Sequence, residues 1–151
     1  MSLHRLFIGL LISLFCLSAH PASAQSAWLA NHFMAKKITL LPDGTPTISE
    51  YPVICTLSGP GPFYFDSCTQ IITARGVHKF RIQLLEDATN KLVQMSKYTV
   101  NAAYDGYIDA RVCSWKWKGK TSGWYRIEIV CDNGPQPPDI IGTFFFYVQA
   151  A

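Results

Sequence analysis

Arg111 to Cys131, RVCSWKWKGKTSGWYRIEIVC, constrains the fold more than any other stretch. Two alternating runs flank a turn rich in Gly, Lys and Ser. In the first run Cys113, Trp115 and Trp117 share one face, opposite Ser114, Lys116 and Lys118. In the second, Tyr125, Ile127, Ile129 and Cys131 share a face. This pattern predicts a β-hairpin on which the other strands pack. If the two odd-numbered faces coincide, the register pairs odd with odd. A turn over Lys120–Trp124 sets Cys113 opposite Cys131, whereas a turn over Lys120–Ser122 sets it opposite Ile129.

The rest of the chain reads as short strands. Val77 to Leu85 has a period of two, with Phe80, Ile82 and Leu84 on one face and Lys79, Arg81 and Gln83 on the other. That is a strand with one face on a core and one in water. Further strands are expected over residues 37–41, 47–57, 67–74, 92–100 and 143–149, separated by turn signals such as Pro42-Asp43-Gly44 and Asp105-Gly106. In residues 25–37, Trp28, Leu29, Phe33 and Met34 fit one face of a short helix, but the expectation is a loosely ordered N-terminal arm, as termini are seldom ordered unless tied down. The expectation is an all-β fold: a single antiparallel sandwich of about seven to eight strands over 38–151, with a barrel as the alternative.

Leu6 to Leu17 is apolar but short of the ~20 residues of a transmembrane helix, and Ala22-Ser23-Ala24 follows it. This is the order of a secretory signal, with cleavage expected after Ala24. The mature chain then has 151 − 24 = 127 residues, one domain's worth. Without Arg5, it holds 12 Lys/Arg against 10 Asp/Glu. That weak balance argues against a nucleic-acid partner, and no transmembrane segment is expected after the signal. The expected compartment is periplasmic or secreted.

Cys55, Cys68, Cys113 and Cys131 remain, an even number that predicts two disulfides in an exported chain. No close Cys-x-x-Cys pair suggests a metal site. Sequential pairing, Cys55–Cys68 and Cys113–Cys131, follows from the longer turn, because a disulfide needs Cβ atoms roughly 3.8 Å apart. The shorter turn leaves Cys55–Cys131 or Cys55–Cys113.

Three segments, Phe80-x-Ile82-x-Leu84, Gly123-Trp124-Tyr125-x-Ile127 and Gly142-x-Phe144-x-Phe146-x-Val148, carry a likeness to a known class. The region 77–148 resembles immunoglobulin-like and fibronectin type III-like domains of secreted bacterial proteins. Antibody domains carry a tyrosine two residues before the second cysteine; here that position is Ile129. The resemblance implies a fold and no function.

Catalytic motifs are lacking. His32 and His78 are the only histidines of the mature chain, and no nucleophile elbow or zinc-binding helix is present. Asp105 and Asp109 flank Tyr107 but read as solvated turn carboxylates. No cofactor is expected. The expected function is a non-enzymatic binding module that contacts an envelope protein or a glycan. Trp117, Lys118, Lys120 and Trp124 at the 117–124 tip are candidate contacts, with Phe63, Tyr64 and Phe65 from the 58–66 loop. The alternative is an accessory subunit of a surface assembly that adds a strand at 143–149, with Phe145 and Tyr147 exposed. A homo-oligomer is compatible with either, and a small hydrolase or enzyme inhibitor is a more remote reading.

Overall fold

Alternating side chains resolve into nine strands in a computed structural model, which describes residues 26–52, 56–59, 61–118, 122–132 and 137–150. The strands are β1 (Ala27–Leu40), β2 (Pro46–Pro52), β3 (Thr56–Gly59), β4 (Phe63–Thr73), β5 (Gly76–Glu86), β6 (Lys91–Ala102), β7 (Tyr107–Trp117), β8 (Gly123–Cys131) and β9 (Asp139–Ala150). They form a four-stranded sheet, β2-β1-β4-β7, and a five-stranded sheet, β3-β9-β8-β5-β6. The fold is thus an all-β sandwich. It is not wholly antiparallel, since β3 runs parallel to the end of β9.

The inward faces meet in one core. The four-stranded sheet contributes Phe63, Phe65, Ile71, Cys113 and Trp115, and the other sheet Phe80, Ile82, Leu84, Ile127, Ile129 and Phe146, among others. Burying a large apolar side chain contributes ~1.5–3 kcal/mol, so this contiguous set dominates stability. Trp115 carries a polar N–H into the core, and that group donates to Ser67 Oγ at 2.7 Å. A buried polar group with a partner costs little.

The expected hairpin over Arg111–Cys131 does not form. β7 pairs along its whole length with β4, while β8 lies between β5 and β9 in the other sheet. The odd-numbered faces do point to the same place, but they confront each other across the core instead of lying side by side. No register can then oppose Cys113 and Cys131. Cys113 sits opposite Ser67 and Cys131 opposite Phe80. The Cys113–Cys131 disulfide is therefore absent: Cys68, Cys113 and Cys131 are buried free thiols. Cys68 points to the outer side of its sheet, away from Cys113. Cys55, the expected partner of Cys68, lies outside the described residues, as does the expected signal segment.

Where a loose arm was expected over 25–37, the chain forms β1, an inner strand between β2 and β4. Its period of two is broken by irregularities at Leu29/Asn31 and Lys37/Ile38. At the second, the Ile38 N–H turns out of the ladder and donates to the buried Asp66 carboxylate at 2.9 Å. Asp66 also accepts from Ser114 Oγ at 2.7 Å. Beyond this point the β1–β2 hairpin folds back over the outer side of its own sheet. Ile38 packs there with Ala35, Cys68, Phe33 and Val112 in a second, small apolar cluster.

One side of the sandwich is closed by a side chain. The Gln94 amide, on edge strand β6, donates to Ser114 O and accepts from Lys116 N–H, both at 3.1 Å. It thus occupies the open backbone edge of β7, much as a neighbouring peptide group would.

Candidate functional site

The outer face of the five-stranded sheet collects the side chains that the core rejects. β8 turns Trp124, Arg126, Glu128 and Val130 outward, because Tyr125, Ile127 and Ile129 point in. Their cross-strand neighbours on β9 are Tyr147, Phe145, Thr143 and Ile140. On β5 the facing residues are Leu85 beside Arg126, Gln83 beside Glu128 and Arg81 beside Val130.

Two kinds of surface result. At one end is an aromatic platform. Trp124 is 54% exposed and Phe145 53%. The rings of Trp124 and Tyr147 meet edge to face, with centroids 5.4 Å apart. Edge-to-face contact leaves the broad side of a ring open to a visitor. Beside the platform runs a chain of planar polar groups. Arg126 Nε donates to Glu128 Oε1 at 2.7 Å, and Gln83 Nε2 donates to Glu128 Oε2 at 2.8 Å. The other guanidinium nitrogens reach Asp87 Oδ1 at 2.8 Å and Asn90 Oδ1 at 2.6 Å in the β5–β6 turn. Burial pushes the Glu128 carboxyl up, but the hydrogen bonds from Arg126 and Gln83 outweigh it and hold the carboxyl below its usual range. The group stays ionised and fixed, so the polar strip is ordered before any ligand arrives.

The expected contact residues are dispersed. Trp124 is on the platform, and Lys118 is exposed just past β7. Lys120 and the side chain of Trp117 lie outside the described residues. Phe63 and Phe65 begin β4 and are buried, so the 58–66 segment does not display them. Tyr64, between them, faces out on the four-stranded sheet, with Lys36 and Lys116 Nζ 5.6 and 5.1 Å from its ring centre. It is therefore on the opposite face from Trp124. The residues that sequence reasoning missed are Arg126, Glu128 and Gln83. Their signal was available: Trp124, Arg126 and Glu128 alternate with the core residues of β8.

The polar groups weighed for catalysis have structural partners. His78 Nε2 lies 2.8 Å from Ala74 O. Asp105 accepts from the Arg75 N–H at 2.7 Å, and Asp109 is paired with Arg111 at 3.1 Å. A cleft of about 400 Å³ lies under the β1–β2 turn, between Asp43, Thr45, Gln70, Tyr107 and Asp109. Its carboxylates are already engaged, Asp43 by the Thr45 N–H at 2.9 Å. Among the described residues no cluster of three His, Cys, Asp or Glu side chains is placed to hold a metal, and no helix is long and apolar enough to cross a membrane.

The fold and this face define a β-sandwich with exposed aromatic side chains beside a largely buried polar row. Among solved structures, the chain is similar to the C-terminal domain of Wzt. The identity is 10% and the TM-score 0.50, covering 83% of this chain and 75% of that one. At that identity the likeness concerns the fold alone. No family model and no curated protein matches the chain.

Proposed function

We propose that this protein is an exported, non-catalytic glycan-binding module whose ligand lies on the outer face of the five-stranded sheet. The observation that carries the reading is the pairing of the Trp124–Tyr147–Phe145 platform with the pre-set Arg126–Glu128–Gln83 strip. Sugar rings offer an apolar C–H face and a rim of hydroxyls. The first suits an open aromatic ring, and the second suits planar carboxylate, amide and guanidinium groups. A protein partner of standard size would bury roughly 800 Å² around a core depleted of charge. This face instead sets the charged Arg126 directly opposite Phe145. The kinship to immunoglobulin-like and fibronectin type III-like domains belongs to the same proposal as architecture only.

The test is binding of the mature protein to an array of bacterial surface polysaccharides, read with Trp124→Ala and Phe145→Ala. Both substitutions remove exposed rings and leave the core intact. Loss of retention with unchanged melting supports the reading; retention unaffected by both variants refutes it.

The strand-addition alternative changes position. Tyr147–Ala150 already pairs with β3, so an incoming strand would have to use the 139–146 part of β9. Exposed Ile140 and Phe145 on that segment favour it as the second reading. A stable protein complex insensitive to Trp124→Ala but lost on Ile140→Lys would favour it over the glycan.

A further inference from the structure

Farther along the same face, β5 and β6 set two cations side by side. Arg81 lies directly opposite Lys97, and both point outward because Phe80, Ile82 and Tyr98 point in. Like charges directly opposite each other across a ladder are destabilising. Exposed Lys79 follows on the same side, two residues away. Asp132 Oδ2 is 3.8 Å from Arg81 Nε, an ion-pair distance but not a hydrogen bond, and the Arg81 charge is also felt by Glu128 on β8. Arg81 Nε is buried and has no hydrogen-bond partner. No described carboxylate forms an ion pair with Lys97. Asp139, across the sheet on β9, is exposed.

What points to an anion is the outward cluster itself: Arg81 and Lys97 repel each other across the ladder, Lys79 adds a third cation, and the Arg81 side chain keeps 29% of its surface open. We propose that Arg81 and Lys97 receive a carboxylate of the glycan, and that the ligand is an acidic polysaccharide containing uronic acid residues. This rests on the glycan reading of the aromatic platform. A guanidinium presents a planar fork that matches a carboxylate, and the adjacent ammonium adds charge. Strand geometry fixes the length of the ligand. Val130, beside Arg81, is four residues from Arg126, the neighbour of Phe145, and six from Trp124. At ~3.3 Å per residue these spans are roughly 13 and 20 Å. A single sugar cannot touch both ends, so the site is built for a chain.

The test compares binding of the full-length mature protein to two acidic polymers, polygalacturonate and alginate, and to their methyl esters, which keep the backbone and remove the charge. The acids should bind about tenfold or more tighter, as one charge-assisted hydrogen bond would give, with the gap narrowing as salt is added. Arg81→Gln/Lys97→Gln should erase that preference and leave ester binding unchanged. The double variant removes a repulsive pair and should melt no lower than the parent, so loss of preference will not reflect unfolding. Equal binding of acid and ester, abolished by Trp124→Ala, overturns the acidic subsite and leaves the platform reading in place. A preference that survives in the double variant also overturns it. Binding of none of the four polymers overturns the acidic subsite, and the platform reading then stands or falls on the polysaccharide array.

Discussion

His32 should make this fold sensitive to mild acid. Its ring lies half-buried on β1, stacked on Phe144 of β9 with centroids 4.0 Å apart. Nδ1 lies 2.9 Å from Thr69 Oγ1, and Nε2 is buried with no partner. Burial alone lowers the pKa from 6.5 to about 4, because a charged ring there would lose its water. The folded value is thus below the unfolded one, and the sign follows. Above pH 6.5 neither state binds the proton and stability is unaffected. As pH falls from 6.5 towards 4, the unfolded chain takes up a proton that the folded chain refuses, and stability is lost. At ~1.4 kcal/mol per pH unit, the full loss is about 3 kcal/mol below pH 4, and roughly 2 kcal/mol of it falls between pH 7 and 5. With a urea m-value of ~1.5 kcal/mol/M, that moves the midpoint down by about 1 M. The assay is urea unfolding at half-unit pH steps for the parent and for His32→Phe. The variant keeps a ring against Phe144 and strands the Thr69 hydroxyl, so its stability at neutral pH is lower. The readout is the difference in slope: groups common to both proteins cancel. Parallel profiles from pH 7 to 5 would refute the assignment.

Four further outcomes are expected. Gln94→Ala should cost about 1–2 kcal/mol for the two lost hydrogen bonds and open the β7 edge, giving concentration-dependent association in analytical ultracentrifugation. Ser67→Ala leaves the buried Trp115 N–H without its acceptor and should destabilise by about 1–3 kcal/mol in chemical denaturation. Gly142→Ala places a methyl group 2.9 Å from Leu29 Cδ2 and 3.2 Å from Phe144 Cε2. It should cost ~1–3 kcal/mol, with partial recovery when combined with Leu29→Ala. Burial, reinforced by the charge of Cys113, raises the Cys68 thiol to about 11, and burial also raises Cys113 and Cys131. Iodoacetamide should spare all three in the folded protein and label all three in denaturant without a reductant; a Cys113–Cys131 peptide that needs reduction would contradict the free thiols.

Strand content was legible because each inner face repeats every second residue. β5 is the clearest case, with Phe80, Ile82 and Leu84 buried as the alternation requires. The mating of strands was not legible. Cys113, Trp115, Ile127 and Ile129 all face the core, and that condition is met equally by two strands side by side and by two strands confronting each other across it. Sequence alternation records which way a side chain points, not which strand lies next to it. β1 escaped notice for another reason: two irregularities shift its phase, so Trp28, Phe33 and Ile38 all point outward although each lies five residues, an odd number, from the next. In the candidate site, Trp124 stood out by residue type. Gln83, Arg126 and Glu128 look like ordinary surface residues until the strand order brings them into one hydrogen-bonded row.

The sheet order also imposes a timetable on folding. Among the described residues, β3 has a single strand partner, β9, and their pairing joins Thr56 to Tyr147. β4, in the middle of the other sheet, joins Ala27 to Thr73 on one side and Phe63 to Trp117 on the other. Among the described residues, four of the seven ladders link strands that are not adjacent in the chain. Closing such long loops costs entropy before any contact repays it, which places this topology among slow folders. Until β9 arrives, the apolar faces of β8 and β5 have no complete cover. A chain delivered from one end would pass through a period in which half a sandwich waits for its last strand, and a holdase that shields bare sheet edges would speed its maturation more than a catalyst of disulfide exchange.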